Sequence, residues 1–117
     1  MTENATQQAG IAPATVYQVA ALAAPQEGSI VSRTLVNAPT GSLTLFAFAE
    51  GQRLSEHTAP FDAFAHVLEG SAAITIDGVT HEVDRGHAVL MPANVPHAVH
   101  AKQPFTMALT MFKSERR

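Results

Sequence analysis

Six histidines carry most of the chemical potential of this 117-residue chain: His57, His66, His81, His87, His97 and His100. Imidazole is the commonest metal ligand and the usual acid or base near neutral pH. The chain has no cysteine. That excludes disulfides, thiolate ligands, zinc ribbons and cysteine nucleophiles together. Two histidines stand out by their setting. His57 ends a polar run and precedes Thr58-Ala59-Pro60, and His97 follows "PANVP", whose two prolines fix where the next strand begins. Two such residues, far apart in sequence, can converge in one barrel mouth, a favoured place for ligands. His81 and His87 lie beside a hairpin and the turn after it, and read as surface residues. Met91, Met107 and Met111 suit a strand core better than a thioether copper site. Asp62 is expected to cap its own turn rather than to stand at a pocket edge. There is no phosphate loop or dinucleotide fingerprint, and Ser55 and Ser71 belong to no nucleophile motif.

The elements that must position these side chains read as short strands. "IVSRTLV" is β-branched and half alternating, and "APTG" turns the chain. "SLTLFAF" is apolar on both faces, as expected of a strand covered on both sides for part of its length. "FAFAHVLEG" closes at Gly70, and "SAAITIDGVTHEV" is a hairpin turning at Asp77-Gly78. "HAVLMP", "HAVHA" and "FTMALTMF" complete the series. Gly and Pro punctuation about every 8 to 12 residues indicates an all-β sandwich or barrel. Phe46, Phe48, Phe61, Phe64, Val67, Leu90 and Met107 are the expected core or pocket walls. Residues 1–14 are expected to form a flexible tail and residues 15–117 a single domain.

Composition narrows the function classes. Apolar residues make up 46% of the chain and charged residues 15%. That sparse charge leaves apolar surface for a partner subunit, and a homodimer is expected. The net charge is −3 with scattered Lys and Arg, which argues against nucleic acid as a partner. "MTENATQQAGIAPA" has no basic start or long apolar run, so a soluble cytoplasmic protein with no membrane association is expected.

The spacing of particular residues resembles the cupin superfamily of small β-barrels. Its first motif places two histidines and a glutamate between two glycines. Here Gly51, His57 and Gly70 match, the second His falls on Ala59 and the Glu on Ala63. Its second motif is matched by Gly86, Pro92 and His97, with Asn94 in place of a Gly. Asn tolerates the left-handed backbone nearly as Gly does, so that exchange is mild. Fifteen residues separate the motifs, and the resemblance spans residues 30–112. It implies a small antiparallel β-barrel of jelly-roll type.

The resemblance also implies one metal ion in the barrel mouth, normally on two His, a Glu and a third His. By position this chain keeps His57 and His97. Loss of the carboxylate favours zinc, nickel, iron or copper over magnesium or calcium. His66 is the best third ligand, provided that a bulge after Ala63 turns it inward. His100 fails the same parity test relative to His97. The functional expectation is a metal-dependent dioxygenase, isomerase or lyase acting on a small organic substrate. The alternatives are a small-molecule binding or sensing module without chemistry, and a dimerising scaffold with a vestigial pocket.

Overall fold

The computed structural model describes residues 10–113. Nine strands are found among them: β1 (Ile30–Ala38), β2 (Gly41–Phe48), β3 (Arg53–His57), β4 (Asp62–Glu69), β5 (Ser71–Ile76), β6 (Val79–Asp84), β7 (Ala88–Met91), β8 (His97–His100) and β9 (Phe105–Phe112). They form two antiparallel sheets, ordered β1-β2-β9-β4-β7 and β3-β8-β5-β6. The nearly all-β jelly roll agrees with the strand punctuation. Asp77 (φ 50°) and Gly78 (φ 82°) turn the β5–β6 hairpin as expected.

The core lies between the sheets. Phe48, Ala63, Ala65, Val67, Phe105 and Met107 from the five-stranded sheet meet Ala72, Ile74, Val83 and Val99 from the other. Phe48 and Phe105 stack with ring centroids 4.6 Å apart. β2 has apolar residues on both faces because both are covered. Phe48 enters the core, while Leu45 and Ala47 pack outward against Ala23, Leu35, Ile11 and Leu22. Leu22 ends a short 3-10 turn, Val19–Leu22. Of the expected tail, residues 1–9 lie outside the described residues. Ile11 does not hang free: its N–H donates to the Leu35 carbonyl and its side chain joins this outer cluster.

Two of the expected core residues face the other way. In β4, Ala63, Ala65 and Val67 point inward, which places Phe64 on the outer face, 40% exposed. Its register partner Leu90 is 49% exposed. The alternation is strict, but the inward residues are small, so the large side chains drew the inference to the wrong face.

Candidate metal centre

Two connections set one end of the barrel. Residues 58–61 lead from the end of β3 to the start of β4, and residues 92–96 lead from the end of β7 to the start of β8. Hydrogen bonds tie these connections together. The Asn94 N–H donates to the Ala59 carbonyl (2.7 Å), and the Ala93 N–H donates to Asp62 Oδ1 (2.8 Å). Asp62 therefore caps the neighbouring connection, not its own turn. Asn94 has φ 65°, the left-handed conformation for which Asn is the best substitute for Gly.

His57 and His97 are register partners across β3 and β8. They share a face because of a bulge. Three residue steps from Leu54 to His57 oppose two from Val99 to His97, so the extra residue reverses the parity of β3. The bulge near the site thus lies in β3, not in β4 as the sequence reading required. The two rings meet edge to face with centroids 4.4 Å apart.

Each ring is oriented by its own backbone. Nδ1–H of His57 donates to the Ser55 carbonyl (3.0 Å), and Nδ1–H of His97 to the Val95 carbonyl (3.2 Å). A carbonyl only accepts, so each Nδ1 carries the proton and each Nε2 keeps a lone pair. A carbonyl partner on the far nitrogen is the arrangement that orients histidine ligands. His97 is only 6% exposed. Burial holds its pKa below the ordinary 6.5; the Val95 hydrogen bond opposes this and the neighbouring His57 adds to it. The imidazole is therefore neutral and able to ligate at pH 7. Two imidazole nitrogens suit a borderline transition-metal ion, although structural and catalytic sites ordinarily have at least three protein ligands.

The other histidines are not brought to this pair. β4 pairs without interruption with β9 from Asp62 to Val67 and with β7 from Ala63 to His66, and its register shift against β9 comes only after Val67. His66 therefore faces outward beside Phe64, with ring centroids 6.4 Å apart, and its expected role as third ligand is withdrawn. His100 also faces outward, where Arg53 Nη2 donates to its Nε2 at 3.5 Å. His81 and His87 are exposed. Among the described residues no three His, Cys, Asp or Glu converge on a metal position.

The register also defines the row of residues at this end of each sheet. On the five-stranded sheet, Ser42, Met111, Ala63 and Met91 are successive cross-strand partners at the same end of the barrel. On the other sheet the row is His57, His97, Ile76 and Val79. Neither row contains a carboxylate. The sequence reading did not find the Met91–Ala63–Met111 row, because only strand register reveals it.

Residues 44–112 match the family model for the cupin domain. The chain is a cupin. A conserved protein of unknown function from Streptococcus pyogenes is 36% identical with TM-score 0.85, over 91% of this cupin and 93% of that chain. A cupin 2 conserved barrel domain protein from Leptotrichia buccalis is 38% identical with TM-score 0.80, over 83% of this cupin and 47% of that chain. Dimethylsulfoniopropionate lyase DddW of Ruegeria pomeroyi is 34% identical over 82 residues, 66% of this cupin and 54% of the lyase. This cupin spans about half the length of the curated relatives it matches.

Proposed function

We propose that this cupin binds one transition-metal ion at the barrel mouth through Nε2 of His57 and Nε2 of His97, and acts there on a small organic substrate. The observation that carries this reading is the pair of facing imidazoles, each with Nδ1 committed to a carbonyl two residues before it. A bound ion would supply Lewis acidity and coordination positions open to substrate. The protein's part is to hold His97 neutral by burial and to present both Nε2 atoms on one side. The reaction class is a lyase, isomerase or dioxygenase. Similarity to a relative named as a dimethylsulfoniopropionate lyase supports putting the lyase first. The absence of a carboxylate from both rows supports a second reading, a small-molecule binding or sensing cupin without an obvious general base.

Metal analysis of wild type beside His57→Ala, His97→Ala and His66→Ala tests the site. Near-stoichiometric metal in wild type, lost in the first two variants and kept in the third, is the expected result. A wild-type protein that takes up no metal after reconstitution ends the reading. Consumption of dimethylsulfoniopropionate by the metal-loaded protein, abolished by His97→Ala, separates the lyase from the binding module. A homodimer belongs to the same proposal, with the outer face of Phe64, Leu90 and Phe112 as its contact.

A further inference from the structure

The outer face of the four-stranded sheet carries a cavity that the metal reading does not use. In β3, β8 and β5 the side chains of Leu54, Val99 and Ile74 pack into the core. By alternation Arg53, His100, Ala98 and Thr75 point outward. Together with Ser55 and Glu56 they line a groove of about 350 Å³, a size suited to a small molecule. Ala98 stands between Thr75 and the β3 bulge, and its short side chain leaves room there.

The groove has one charge of each sign because of the bulge. Arg53 and Glu56 are three steps apart, and in a regular strand they would lie on opposite faces. The extra residue between Leu54 and His57 brings both to the wall of one groove. Three steps of strand keep their Cα atoms within about 10 Å. Among the described residues, however, neither takes part in an ion pair. Arg53 donates from Nη2 to Nε2 of His100 at 3.5 Å, which leaves most of its five N–H donors for a ligand. A separated cation and anion in one cavity complement a molecule that carries both charges. The guanidinium matches a carboxylate in geometry. No Phe, Tyr or Trp lines the groove to receive a quaternary ammonium, so the cationic end must offer N–H donors to Glu56. We infer that this groove binds a small amino acid zwitterion, with its carboxylate on Arg53 and its ammonium on Glu56.

The test follows backbone amide shifts of isotope-labelled protein by NMR during titration with glycine, β-alanine and γ-aminobutyrate at constant ionic strength. Metal-free protein is used, so the outcome is independent of the metal reading. Acetate and methylammonium are controls that lack one charge, and glycine betaine is a control without N–H donors. At least one of the three amino acids should saturate shifts at residues 53–56, 75 and 98–100, and bind about fivefold or more tighter than any control. Arg53→Gln and Glu56→Gln should each lower its affinity to about the level of the controls. Both positions are exposed, so the variants keep the core, and the rest of the spectrum checks this. No saturable binding, or affinity unchanged in either variant, overturns the inference. Acetate as tight as the amino acids also overturns it and marks a simple anion site. Glycine betaine as tight as the amino acids removes the need for N–H donors and has the same effect. Shifts centred on residues 58–61 and 92–96 would move the contact to the barrel mouth and end the claim for the groove.

Discussion

At the residue scale, the decisive group is His97. Its burial makes the charged imidazolium unfavourable in the fold, so its pKa lies below 6.5. The unfolded chain therefore binds the proton more readily, and stability rises with pH between the two values. Full stability is present above about pH 6.5 and is lost as pH falls through the folded pKa. Thermal melts of the metal-free protein between pH 7.5 and 5.5 should show a declining Tm, and His97→Gln should flatten the decline. An equal slope in the variant would assign the effect to another group. That His57 and His97 converge was legible from motif position alone. The orientation of His66 was not, because "DAFAHVLE" offers two alternations and only pairing on both edges excludes a bulge before His66.

At the element scale, the site is framed by the β3 bulge and the two bridged connections. In β3 the run Arg53-Leu54-Ser55-Glu56-His57 has a single apolar residue, so periodicity carries no record of the added residue. Deletion of Ser55 removes the extra residue and leaves His57 two steps after Leu54, still opposite His97 in an unbulged strand. The metal uptake proposed above should therefore survive, with the β-sheet circular dichroism signal retained. Uptake lost in a folded variant would show that the bulge does more than set the parity of His57. In the 92–96 connection, Asn94→Ala keeps the β-carbon in the left-handed region but removes the polar side chain that makes Asn tolerant of it, and should cost up to about 1 kcal/mol. Asn94→Gly should cost nearly nothing. Urea denaturation of both variants checks the pair, and equal losses would argue against backbone strain as the cause. The second motif anticipated this backbone, since Asn stands where the family has Gly.

At the scale of the whole molecule, the jelly roll was readable from turn residues and short strands, whereas the surface was not. Phe64 and Leu90 read as core because they are large, and the structure puts them outside with Phe112. Sedimentation or light scattering should give twice the chain mass for wild type and a single chain mass for Phe64→Glu. A monomeric wild type would leave that face without the proposed role. The strand order has a separate consequence for synthesis of the protein. β9 lies in the middle of the five-stranded sheet, between β2 and β4, although it is the last of the nine strands in chain order. Until residues 105–112 have left the ribosome, β2 and β4 have no common neighbour, and Ser42 is separated from the row of Ala63 and Met91. Long-range pairing of this kind is slow and leaves strand edges open to aggregation. The barrel therefore closes only after translation has passed its final strand, and chaperones that shield nascent β-edges should matter more to its yield than the rate of any earlier hairpin.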